Sequence, residues 1–283
     1  MAATVTGAVN VPQVNRVSID APWKWLAQGY RDMLRAPSVS LAYGAIFTAI
    51  SLLVLLVLAY SGAVSLVLPL AGGYLLIAPL IAVGLYETSR RLSEGEKVTF
   101  SDAISFSVRS PGQLAFMGVF LLIIYFIWLD LAFLLFMLFH GPSAFRLENL
   151  TLDLLLTTGG VVMLVIGTIA GGMLALLVFS ISAISIPMLM RRKVDAVTAA
   201  LTSMRAVVLN PYPMLLWAVL IAGMMAFAFA TLFIGMVVIF PLIGHATWHA
   251  YRELVPPLEA PKAGGEKGKS GTAGRATASK ATD

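Results

Sequence analysis

Two histidines four residues apart are the residues best placed for chemistry. His245 and His249 lie in the stretch GHATWHAYREL at 244–254. That spacing puts both on one face of a helix. Two imidazoles so placed can share one metal ion when further ligands join them. Glu87, at the matching place in the related stretch PLIAVGLYETSRRL at 79–92, is a candidate third ligand. A pair on one helix cannot supply opposite axial ligands to a single haem. The competing reading is a set of interfacial hydrogen bonds and headgroup contacts, with Trp248 and Tyr251 beside the pair. A second candidate is Asp130, the one ionisable residue deep in an apolar stretch. An intramembrane carboxylate costs about 2.5–3.5 kcal/mol on insertion scales, so it is a candidate for a proton or ion role. Its apolar stretch is about 40 Å long as a helix, which also allows a position near the outer interface beside Trp128. No basic residue within an apolar stretch offers it a partner. The chain has no cysteine, which excludes disulfides and thiolate chemistry. It has no GxSxG, no HExxH, no DxD pair in a loop and no phosphate-binding glycine loop. No catalytic residue and no cofactor is expected.

Composition decides what must position these residues. The 283 residues are 59% hydrophobic and only 12% charged, against about 25% charged in soluble domains. The mean hydropathy is +0.90. A basic balance of +5 does not make such a chain a nucleic-acid binder. It reads as an all-α integral membrane protein with six transmembrane helices, at about 40–60, 64–86, 113–139, 160–190, 212–230 and 232–251. The first pair turns at Ser61-Gly62, and the last is joined almost directly near Thr231. The middle pair carries a longer loop, with Leu147, Leu150 and Leu154 placed for a short interfacial helix. Residues 1–19 and 255–283 are too polar and flexible in composition to build a core, and are expected to be disordered. Residues 1–21 lack the apolar core of a signal peptide.

Orientation follows from the basic residues. Of the 19 Lys and Arg, all but Arg146 fall on one side of a six-span arrangement. Both termini are therefore expected in the cytoplasm, with the basic tail near anionic headgroups. Amphipathic cytoplasmic helices are expected at about Asp20–Arg35, Ser101–Arg109 and from Asp195 onward. Trp23, Leu26, Tyr30 and Leu34 share a face in the first. Val194, Val197, Leu201, Met204 and Val208 share one in the third. A proline follows each helix (Pro37, Pro111 and Pro211), ending it and turning the chain into the membrane. Three parallel hairpin repeats, each preceded by a surface helix, are the implied plan. Gly167, Gly171 and Ala175 form one small-residue row, and Ala218, Ala222, Ala226 and Ala230 another. Both are expected to pack helices within the chain. Pro79, Pro187 and Pro241 are expected to kink their spans and free the carbonyls of Leu75, Ala183 and Val237.

The stretches SLAYG at 40–44, GLYETSRRL at 84–92, TSMRAVVLNP at 202–211 and FPLIGHATWHAYREL at 240–254 resemble the domain-of-unknown-function family 2189. The resemblance covers about Trp25 to Leu254. It implies a multi-span inner-membrane protein of bacteria and supplies no activity. The expected function is therefore non-catalytic, exerted through partner proteins or lipids in assembly or envelope maintenance. One alternative is a transporter or channel for a small apolar or weakly polar solute, using Asp130, Tyr43, Tyr74 and the proline kinks. The other is a metal- or haem-associated redox accessory subunit built on His245 and His249.

Overall fold

A computed structural model describes residues 12–105, 108–141 and 156–257. Every regular element among them is a helix. In chain order these are α1 (Ala21–Arg35), α2 (Pro37–Tyr60), α3 (Val67–Ile81), α4 (Val83–Ser93), α5 (Phe100–Ile104), α6 (Pro111–His140), α7 (Thr158–Ser182), α8 (Ser185–Arg191), α9 (Ala196–Leu209), α10 (Pro211–Ala230) and α11 (Met236–Leu254). Five runs are long and apolar enough to cross a membrane: Pro37–Tyr60, Val67–Ser93, Pro111–Phe139, Thr158–Arg191 and Pro211–Ala230. The expected sixth, α11, does not reach that apolarity. Its second half carries His245, Thr247, His249, Arg252 and Glu253, and it packs against α1, α2, α4 and α10. Protein, rather than lipid, surrounds its polar half. The expected loop helix with Leu147, Leu150 and Leu154, and Arg146 with it, lies outside the described residues.

Proline sets the entries. Pro37, Pro111 and Pro211 each occupy the first position of a long helix, where a missing N–H costs nothing. The residues before them have nearly one conformation: Ala36 at φ −130°, ψ 61°, Ser110 at −131°, 68° and Asn210 at −129°, 56°. The helix preceding Pro111 is shorter than expected. It ends at Ile104, and the backbone N–H of Arg109 is committed to the carbonyl of Met190 at 3.0 Å. Thr99 and Asp102 form a capping box at its start. The last two long helices are joined by a turn, not directly. Leu232 and Phe233 take φ of 51° and 66° there, and Thr231 Oγ accepts from Gly235 N at 2.9 Å.

The interior prolines act differently. The chain breaks at Ala82, three residues after Pro79, and at Ala183–Ile184, before Pro187. Around Pro241, α11 is continuous, and the carbonyl of Val237 meets α2 at Gly44. A Cβ at Gly44 would stand 2.2 Å from that oxygen. Only a glycine lets the two backbones approach so closely. Gly29 of α1 does the same against Ala246, where a Cβ would lie 2.6 Å from the backbone nitrogen.

The two small-residue rows part company. Gly171 lies under the ring of Trp128, which would be 2.8 Å from an added Cβ, and Trp128 donates to the carbonyl of Pro69 at 2.7 Å. Trp128 thus closes α3, α6 and α7 together. The alanine row of α10 does not pack within the chain as expected. Ala222, Ala226 and Ala230 are exposed, and Ala218 and Ala222 edge an open cleft facing α7.

The N-terminal segment is less free than its composition suggests. Asn15 N donates to Leu254 O at 2.8 Å, and Asn210 Nδ2 donates to Asn15 O at 2.9 Å. Val17 N donates to Asn210 Oδ1 at 2.8 Å. Residues 1–11 and 258–283 lie outside the described residues.

Candidate functional site

Four helices bring the polar residues together. Asp32 comes from the last turn of α1, Ser40 from the first of α2, Ser89 from α4, and His245 and His249 from α11. The glycine contacts of α1 and α2 with α11 let these short side chains meet. His245 is fully buried, with its Nε2 2.9 Å from Ser40 Oγ and its Nδ1 2.7 Å from Ser89 Oγ. Ser89 also stands near the Asp32 carboxylate. His249 Nε2 donates to Asp32 Oδ2 at 2.7 Å.

Counting protons orients this chain. The Ser40 hydroxyl donates to the Ala36 carbonyl at 2.9 Å, so its oxygen accepts from His245 Nε2–H. The other nitrogen of the neutral ring, Nδ1, accepts from the Ser89 hydroxyl. Burial raises the Asp32 pKa, but the bond from His249 and the polar contact of Ser89 outweigh it. The carboxyl is held below its ordinary value. The Arg35 guanidinium is 3.9 Å away, exposed and a minor contributor.

This geometry binds helices to one another. Both ring nitrogens of His245 are occupied by protein, and Ser40 and Ser89 are as fully buried as the ring. His245 and His249 do share a face, but His245 is spent on Ser40 and Ser89 and His249 on Asp32. Glu87 does not join them. It accepts from Arg90 at 2.8 and 2.6 Å and from Arg91 at 2.9 Å, and Arg91 continues to Asp102 at 3.0 Å. Among the described residues, no three of His, Asp and Glu gather to hold a metal. Trp248 and Tyr251, expected at the lipid interface, are buried in protein with ring centroids 5.5 Å apart.

The candidates for a solute path are scattered. Asp130 is exposed on the outer surface of α6, remote from the histidines in the fold. The Tyr43 hydroxyl donates to the Ile81 carbonyl. The Tyr74 hydroxyl is buried without a partner, and its ring packs edge-on to Phe229 and Phe240. The sequence singles out the histidines and misses Asp32, Ser40 and Ser89. A carboxylate facing inward from a surface helix, two positions after Tyr30 on the opposite face, is the one available signal.

Residues 67–191 match the family described as predicted integral membrane protein, domain of unknown function 2189. Of the four motifs that carry the resemblance, GLYETSRRL lies inside that stretch. No curated protein and no solved structure matches the chain. With five long apolar helices, the chain is a multi-pass integral membrane protein.

Proposed function

We propose that this chain is an inner-membrane protein with no reaction of its own, acting through lipids and a membrane partner in assembly or envelope maintenance. In this reading α11 is the sixth span, its polar half accommodated by α1, α2 and α4. Both termini then lie in the cytoplasm, in keeping with the distribution of Lys and Arg. Three hairpins in parallel are supported by the shared conformation of Ala36, Ser110 and Asn210 before their prolines.

The observation that carries the reading is the outer face of α1. Asp32, Gly29 and Trp25 point into the protein, while Trp23, Tyr30 and Leu34 are 55%, 51% and 58% exposed. Lys24, Arg31 and Arg35 are exposed beside them. Large apolar and aromatic groups flanked by cations suit the headgroup boundary of an anionic leaflet. Each such cation contributes about 1 kcal/mol there. The outward side of α9 repeats the pattern with one cation, Arg205, beside Val197, Leu201, Met204 and Val208.

Native mass spectrometry of the full chain, released gently from its own membranes, tests this. The expected result is a stoichiometric protein partner or retained anionic lipid, with lipid retention reduced severalfold in the K24E/R31E/R35E variant. A bare chain that retains neither, or that carries solute flux in proteoliposomes, overturns the reading.

A further inference from the structure

A cleft opens sideways between α7 and α10 and is floored by α3 and α11. Its volume is about 380 Å³, and its walls are almost wholly apolar. Leu176 and Val219 stand at its mouth, exposed to the surrounding bilayer, while Leu76 and Ile243 lie on the floor. It follows α10 from Leu215 to Met225, which is about 15 Å at the helical rise. That is one leaflet's share of a hydrocarbon core about 30 Å thick. Spread over that length, 380 Å³ gives a mean cross-section of roughly 25 Å². An α-helix of about 10 Å diameter needs roughly 80 Å². One hydrocarbon chain fits and a helix does not.

The cytoplasmic end of the cleft is where a polar group is missing. Trp217, 1% exposed, lines the cleft beside Tyr86 and Thr247. Its indole N–H has no acceptor. The hydroxyls of Thr247 and Ser182, which also line the cleft, are spent on the carbonyls of Ile243 and Val178. A buried donor left unpaired is a rarity in folded proteins. The nitrogen itself is closed off from the cleft, which therefore offers a ligand apolar contacts only.

We propose that this cleft is a binding site for one acyl chain of an inner-leaflet glycerolipid. The site is separate from the outer face of α1. Headgroup retention at α1 and chain binding in the cleft can therefore fail independently.

The test uses the full chain in vesicles of phosphatidylethanolamine and phosphatidylglycerol, doped with a phosphatidylcholine bearing a diazirine on its acyl chain. Photolysis and peptide mapping locate the label. The expected result is label on Leu76 and Ile243, which bulk lipid does not reach, saturating at one lipid per chain. Ala218→Trp plugs the cleft from its rim and reduces that label at least 10-fold. Label on outward-facing Leu53 and Leu134 stays unchanged, as does the gel-filtration profile. Ala222→Phe, further along the rim, has the same effect and guards against a folding defect in the first variant. Label confined to outward-facing residues, floor label indifferent to both plugs, or a second protein chain crosslinked to the floor overturns the proposal.

Discussion

The junction around His245 and the cleft between α7 and α10 both border α11, and they are built on opposite principles. In the junction, glycine brings backbones into contact, Ser89, His245, Ser40 and the Ala36 carbonyl satisfy one another in sequence, and His249 meets Asp32. In the cleft, helices stand apart, the walls are apolar and the Trp217 donor is unpaired. Ionisable groups at membrane depth are functional candidates by default. Here the polar cluster closes the architecture from within, and the apolar opening is the part that lacks a complement. The difference lies in satisfaction rather than polarity. A group whose every bond is made by its own protein has none left for a ligand.

The comparison breaks first at the glycines. Gly44→Leu is expected to have the largest effect, because its Cβ would meet the Val237 carbonyl at 2.2 Å and backbone cannot step aside as a side chain can. The loss is about 3 kcal/mol or more, beyond the usual cost of overpacking. Thermal unfolding in detergent, followed by gel filtration, reads it. The same test on Gly172→Leu, which faces open space in the cleft wall, is expected to show a small change. Equal losses at the two positions would erase the contrast between the regions.

Asp32 comes next. Asp32→Ala leaves His249 without its acceptor, and the expected cost is about 2–3 kcal/mol. The charge adds a pH signature. The folded carboxyl is held below its ordinary value, so the unfolded chain binds its proton more readily. The stabilisation is complete above the unfolded value of about 3.9, and is lost as pH falls through the lower folded value. Melting temperatures of the wild type and Asp32→Asn are expected to differ by a constant amount from pH 7 to 5 and to converge below about pH 4. A difference that persists at pH 3 would show that shape, and not charge, holds α1 to α11.

Sequence patterns located nearly all the helices, because proline and cap residues act locally. Pro37, Pro111 and Pro211 start helices where expected, and Asp195 caps α9 through Thr198 N at 2.8 Å. The amphipathic face of α1 was legible for the same reason, with Trp23 outward and Trp25 inward, one residue apart. The junction was half legible. The spacing of His245 and His249 is local, but Ser40 and Ser89 lie 205 and 156 residues from His245 in the chain. Nothing local could exclude Glu87 as their partner, although Arg90 and Arg91, three and four residues on, stand one helical turn away and claim it. The alanine row of α10 misled for a physical reason. Small residues permit close packing without requiring it, and here they edge an opening.

The smallest effect separates the two aspartates. Asp130 was the more conspicuous from sequence, a lone carboxylate in a 30-residue apolar helix. The fold turns it outward on α6, while Asp32, from an ordinary-looking surface helix, is turned inward. Asp130→Leu is therefore expected to change stability by less than about 0.5 kcal/mol, as at other exposed positions without partners. Any shift should favour the variant, since leucine suits the lipid-facing surface better than a carboxylate. Unfolding of Asp130→Leu and Asp32→Ala side by side in one detergent makes the comparison quantitative. A loss at Asp130 matching that at Asp32 would mean that the carboxylate meets a buried partner in the assembled membrane complex. The outer face of α6 would then become a second place where this chain is completed by something else.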